Sequence, residues 1–188
     1  YKIASFELVD LPLIKYAAST GKPMILSTGM ADAEEIQEAI DAAREGGCRD
    51  LAILHCVSGY PAPAEDYNLR IIPDMIDRFG LVTGLSDHTL DNTTAITSIA
   101  MGASIIEKHF TLDRNNGGPD DSFSLEPEEL KNLCKDSKTA WESLGRISYE
   151  RKKSEQDNVI FRRSLYVIRD ISAGEKITKE NVKSIRPG

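Results

Sequence analysis

The chain has 188 residues, 40% of them hydrophobic and 28% charged, with a net charge of −7. That is the make-up of a globular protein with a sizeable core. It leaves no room for a membrane-spanning role, since no run reaches the roughly 18 apolar residues that a span requires, and the acidic balance argues against a nucleic-acid surface.

The predicted elements begin at Tyr1, where "YKIAS" is an apolar strand, followed by "PMILSTG" from Pro23. "ADAEEIQEAIDAAREGG" is predicted as a helix. Ile36 and Ile40 share a face with Ala39 and Ala43, acids fill the first turn and Gly46-Gly47 ends it. The third strand is "LAILHC" from Leu51 and the fourth "LVTGLSDH" from Leu81. "LDNTTAITSIAMGA" is a second helix, capped by Asp91 or Asn92. The fifth strand is "SIIEKHF" from Ser104. The longest helix, "EPEELKNLCKDSKTAWESLG", has Pro127 in a tolerated first-turn position and Gly145 as its stop. After it, "RISYERKKSEQDN" reads as a solvated linker. "SLYVIRDI" is strand-like again, "SAG" a turn and "TKENV" a short helical turn.

The five apolar runs start 22 to 30 residues apart with helices between them, a pattern that means parallel strands and right-handed crossovers. A (β/α)8 TIM barrel spends about 31 residues per unit, so five of its eight strands are expected here. An open doubly wound sheet is the alternative, although no glycine-rich phosphate fingerprint follows any strand. The expected organisation is a partial barrel over 1–146, a linker over 147–160 and the start of a small second domain over 161–188. The chain therefore reads as a fragment of a longer protein. Cys48, Cys56 and Cys134 are odd in number and lack metal-ligand spacing, which reads as reduced thiols in a cytoplasmic protein.

Parallel α/β folds collect their reactive groups at the carboxyl ends of strands. Lys2, Ser5 and Glu7 lie in or after the first strand, Ser27 and Thr28 end the second, His55 and Ser58 the third, Ser86 and His88 the fourth, and Glu107 and His109 the fifth. Two histidines from adjacent strands can hold one divalent cation through neutral imidazole nitrogens and leave positions open for water and substrate oxygen. Taken singly, each histidine reads more readily as a hydrogen-bonded barrel residue; the joint placement favours the ligand reading for His88 and His109. Lys2, inside an apolar strand, needs either an anionic ligand or an ion pair with Glu7 or Asp87. Ser86 and Ser58 can add hydroxyl donors to an anion, and Glu7 can act as a general base. Tyr60, in the loop "HCVSGYPAPAEDYNL", can stack on a sugar or pack within its loop. Asp120 and Asp121 can bind substrate hydroxyls or cap their loop.

Six motifs in order carry a resemblance: "YKIASFE", "GKPMILSTGM", "HCVSGYPAPAEDYNL", "GLSDHT", "EKHFTLDRNNGGPDDSFSL" and "RSLYVIRDISAGEKIT" with "NVKSIRPG". Together they resemble the sialic acid synthase family, the enzymes that make nonulosonic acids. The resemblance implies the second half of a (β/α)8 barrel and the first part of an antifreeze-like (SAF) domain. It implies condensation of phosphoenolpyruvate with an N-acetylated amino-hexose, consuming water and releasing phosphate, with a divalent cation, manganese or magnesium, between the substrates. On this resemblance His88 and His109 are metal ligands, and Lys2, Ser58 and Ser86 hold phosphoenolpyruvate. Glu7 is the acid/base, Tyr60 and Asp120 face the sugar, and His55 lines the pocket. Arg186 reaches the partner subunit's site in a domain-swapped homodimer. Within the family, "YKIASFE" and the tail resemble pseudaminic acid synthases, with Phe6 beside the sugar. The N-acetylneuraminate and legionaminate synthases, which share "GGPD", are the alternatives. A non-catalytic carbohydrate-binding module is the rival of another class.

Overall fold

A computed structural model describes residues 1–187. They form two compact units, 1–145 and 146–188 with Gly188 outside the described residues. Among the described residues no helix is long and apolar enough to cross a membrane.

The first unit is a five-stranded parallel sheet with helices between its strands. In chain order it runs β1 (Lys2–Ile3), α1 (Leu11–Ala18), β2 (Met24–Ser27), α2 (Ala33–Glu45), β3 (Leu51–Cys56), α3 (Ile71–Phe79), β4 (Val82–Asp87), α4 (Thr93–Ala100), β5 (Ile106–Lys108) and α5 (Pro127–Leu144). The strands lie in sequence order, each hydrogen-bonded to the next. An open doubly wound sheet reverses strand order at a switch point. Here there is no reversal, and the sheet curls into part of a barrel.

One ion pair measures the curl. Lys2 on β1 and Glu107 on β5 meet with Nζ 2.8 Å from Oε1. In a flat sheet these outer strands would stand about 19 Å apart, further than the two side chains reach together. Lys2 therefore pairs with neither Glu7 nor Asp87. Its counter-charge comes from the strand furthest away in the sheet, which curvature brings opposite.

The helices form where the sequence places apolar stripes and caps. Asp32 accepts from the N–H groups of Glu34 and Glu35, both at 2.9 Å, and Glu35 accepts from the Asp32 N–H to complete a capping box. Ile36, Ala39, Ile40 and Ala43 of α2 are buried against the core formed with β1, β2 and α1. At α4 Asn92 occupies the cap position, but the Asp91 carboxylate accepts the Thr93 N–H at 2.7 Å, while Asn92 donates to the Glu129 carbonyl on α5. A second core around Tyr67, Ile72, Leu85 and Leu133 supports β4 and β5. Gly84 is required by close packing: a Cβ there would lie 2.3 Å from the Ile105 carbonyl oxygen.

The second unit is small and β-rich. A 3-10 helical run, Lys153–Phe161, lies within and just beyond the expected linker. Strands β6 (Ser164–Val167) and β7 (Val182–Ile185) pair antiparallel. Buried Asn181 accepts the Thr178 N–H and donates to the Lys176 carbonyl, tying the connecting turn together.

Candidate functional site

The parallel register sends alternate residues of β4 and β5 to opposite faces. Ser86 pairs with Glu107 and Asp87 with Lys108. Ser86, His88, Glu107 and His109 thus share one face, which lies on the same side as Lys2. The ring centroids of His88 and His109 are 5.3 Å apart. His88 is buried, and its Nδ1 is 2.7 Å from the Val57 carbonyl oxygen, so Nδ1 carries the proton and donates. Its Nε2 lone pair is thereby left free, the arrangement in which a metal-binding histidine is held by its other nitrogen.

His109 is partly buried, with Nδ1 3.4 Å from an Asp120 carboxylate oxygen. Burial, followed by the proximity of His88, holds its imidazole below the ordinary histidine range, against the opposing pull of Asp120 and Glu107. A neutral ring is what a metal ligand needs. A cation about 2.1 Å from each ring nitrogen would set the two centroids roughly 4.6–5.3 Å apart for ligand angles between about 90° and 109°, so the observed separation fits two ligands at a near-tetrahedral angle on one ion. Among the described residues no three His, Cys, Asp or Glu side chains are grouped to hold an ion by themselves. Protein ligation would come from two imidazoles, with other positions left to water or substrate.

Beside the histidines, one carboxylate oxygen of Glu107 accepts from both Lys2 Nζ at 2.8 Å and Ser86 Oγ at 3.0 Å. The Ser5 hydroxyl accepts the Gly29 N–H at 3.1 Å. A Cβ on Gly29 would fall 2.3 Å from the Ser58 hydroxyl, so only glycine lets the β2 and β3 loops converge there. Ser27 and Ser58 each bury a hydroxyl with no hydrogen-bond partner. Buried polar atoms are rarely left unpaired, so two on one strand-end surface mark a place for a ligand or water.

Tyr60 covers the pair, its ring 4.2 Å from that of His88 and 5.9 Å from that of His109. It remains 44% exposed. Burial, then the charges of Cys56, Asp120, Glu107 and Glu7, raise its phenol above the ordinary range. Glu7, exposed in the turn after β1, therefore lies within the field of this cluster. The structure brings together Lys2, Tyr60, Ser86, His88, His109 and Asp120, with Ser58 in the loop after β3 against Gly29 and Glu7 exposed after β1. Arg186 belongs to the second unit, exposed just beyond β7. His55 stays out of the imidazole pair: its buried Nε2 donates to the Tyr67 carbonyl at 2.6 Å. A separate apolar cavity of about 580 Å3, lined by residues including Ile106, Leu130, Leu133 and Trp141, contains none of the residues singled out from the sequence.

The sequence assigned no role to Glu107, Ser27 and Ser5, although it placed all three at strand ends. The curl that sets Glu107 against Lys2 was not visible in it.

Paired imidazoles thus stand beside an ammonium, a carboxylate and several hydroxyls at the carboxyl ends of a curled parallel sheet. Comparison with known proteins gives the group. Residues 1–149 match the NeuB family and residues 162–188 the SAF domain; the chain belongs to the NeuB family. It is 43% identical to the pseudaminic acid synthase of Helicobacter pylori and 42% identical to the N,N'-diacetyllegionaminic acid synthase of Campylobacter jejuni, over all of this chain and 55% and 57% of those proteins. The crystal structure of the N-acetylneuraminic acid synthetase of Leptospira borgpetersenii superposes with a TM-score of 0.77 at 36% identity, over 84% of this chain and 55% of that one. The chain thus spans about half the length of the relatives it matches.

Proposed function

We propose that the whole protein condenses phosphoenolpyruvate with an N-acetylated amino-hexose to give a nonulosonic acid, and that the residues described here carry the reaction. The observation that supports it most is the pairing of His88 and His109 at 5.3 Å, with the His88 Nδ1 already committed to the Val57 carbonyl.

The enol carbon of phosphoenolpyruvate forms a bond to the open-chain sugar aldehyde. Water then adds to the cationic carbon so formed, and cleavage of its bond to the phosphate-bearing oxygen expels phosphate and leaves the 2-keto acid. Lys2 and Ser86 bind the anion after Glu107 yields them, and Ser58 contributes its unpartnered hydroxyl. Ser27, at the end of β2, offers a second unpartnered hydroxyl. Glu7 accepts a proton from the water as it adds, the role of a general base. Tyr60 stacks on the sugar and Asp120 accepts from its hydroxyls. A divalent cation, manganese or magnesium, held by His88 and His109 would supply Lewis acidity at the aldehyde oxygen.

In the swapped homodimer that the family resemblance implies, the partner subunit's Arg186 completes the sugar site. We take the substrate to be that of the pseudaminic acid branch, on "YKIASFE" and the exposed Phe6 next to Glu7. We place the protein in the cytoplasm, where its three free thiols stay reduced. The test is an assay of the whole protein with phosphoenolpyruvate, Mn2+ and a panel of N-acetylated hexoses, following phosphate. Phosphate release with one sugar of the panel is expected, and that sugar fixes the branch. Silence with every sugar overturns the proposal.

A further inference from the structure

Directly behind the histidines, on the outer face of the same two strands, sits a buried ion pair that the site chemistry does not use. Asp87 and Lys108 are register partners, and their side chains are 0% and 3% exposed. The Lys108 ammonium donates to the Asp87 carboxylate at 2.9 Å, the Thr89 carbonyl at 2.7 Å and the Asp91 carbonyl at 2.9 Å. Its three protons are thus all placed. The other Asp87 oxygen accepts the Thr89 N–H at 2.9 Å. Beside Asp87, the hydroxyl oxygen of buried Tyr67 accepts the His88 N–H at 2.6 Å.

The outer face of a barrel strand normally packs apolar side chains against helices. Removing two charges from water is costly, and a buried pair is weak evidence for stability. What this pair does fix is shape. The turn from Asp87 to Asp91 is wrapped around one ammonium, and that ammonium belongs to the residue before His109. Asp87 directly precedes His88, whose backbone N–H is held by the Tyr67 hydroxyl. The backbone around both histidines is therefore held by hydrogen bonds that touch neither ring.

We infer that Asp87 and Lys108 are positioning residues that hold His88 and His109 at the spacing one divalent cation requires. The inference rests on the metal reading above. Its test is Mn2+ binding to the whole protein, read from the free-ion electron paramagnetic resonance signal, beside a thermal melt. In Asp87→Asn/Lys108→Met both charges go and the volume is nearly kept, so cooperative melting is expected to persist. Mn2+ affinity is expected to fall about 10–100-fold, as for other groups that orient metal ligands from behind.

A double variant that melts cooperatively and binds Mn2+ as tightly as the parent overturns the inference and leaves the metal reading intact. A parent that binds no Mn2+, and so behaves like His88→Ala, defeats the metal reading and this inference with it. If the double variant loses its cooperative melt, Tyr67→Phe carries the test. It keeps both charges and the packing and deletes only the hydroxyl, next to Asp87, that accepts the His88 N–H. A drop of several-fold in Mn2+ affinity is expected of it, and unchanged affinity overturns the inference.

Discussion

The two faces of β4 and β5 are built from the same six-residue neighbourhood and treat polar groups in opposite ways. On the outer face Asp87, Lys108 and Thr89 are buried or nearly so and every valence is used. On the inner face His88 keeps a free ring nitrogen, Glu107 is shared between two donors, and the neighbouring Ser27 and Ser58 hydroxyls have no partner. Saturated polar groups rigidify and specify a conformation; unsaturated buried ones are costly unless something binds. The outer face therefore has the character of a scaffold, and the inner face has the polar groups that a ligand could satisfy.

The contrast breaks most visibly if the inner imidazoles can be removed without consequence. His88→Ala or His109→Ala in the whole protein is expected to lower the rate of phosphate release by about 10^2–10^3, the scale of losing one group that stabilises developing charge. The thermal midpoint should move far less for His109, which is partly exposed, than for His88, whose loss orphans the Val57 carbonyl. Full activity in either variant would make the pair an ordinary piece of barrel packing.

The unpartnered serines sharpen the contrast at smaller scale. In the free protein Ser27→Ala and Ser58→Ala delete hydroxyls that make no hydrogen bond, so stability should hold or rise slightly. With phosphoenolpyruvate each should raise the apparent KM about 10–100-fold, the equivalent of about 1.5–3 kcal/mol for a hydrogen bond to a charged group. A loss of stability with unchanged KM would show that the serines serve the scaffold instead.

Much of this arrangement was legible in the chain. The strand spacing gave a parallel sheet, and the period-2 alternation in "GLSDH" and "IIEKH" already puts Ser86 with His88 and Glu107 with His109. Caps and stops at Asp32, Gly46, Pro127 and Gly145 are local chemistry and lie where local chemistry places them. What could not be read was what depends on the curvature of the sheet. The partner of Lys2 lies 105 residues away and is chosen by the closing of the sheet. The pairing of Asp87 with Lys108 left a signal that went unused: two opposite charges, each one residue before a histidine, on the face that ought to be apolar. Phasing both strands against each other would have found it.

The smallest expected effect concerns His55, the third strand-end histidine, which hydrogen bonding assigns to the scaffold. Burial lowers its pKa below the ordinary value of 6.5, and the Tyr67 carbonyl opposes this only in part. In the unfolded chain the ring takes up a proton near pH 6.5. In the folded protein it does so only at lower pH, so between the two values the unfolded state binds more protons. Stability contributed by neutral His55 is therefore complete above pH 6.5 and is lost as pH falls through that window. His109, whose pKa is also lowered, adds to the same acid limb. His55→Gln replaces the titrating ring with an amide that can still donate to Tyr67. Denaturant midpoints of the whole protein between pH 7.5 and 5 should fall less steeply in this variant than in the parent, while Mn2+ affinity at pH 7.5 stays unchanged. If the variant weakens Mn2+ binding as His88→Ala does, His55 belongs with the inner face, and the boundary between scaffold and site runs one strand further along the sheet.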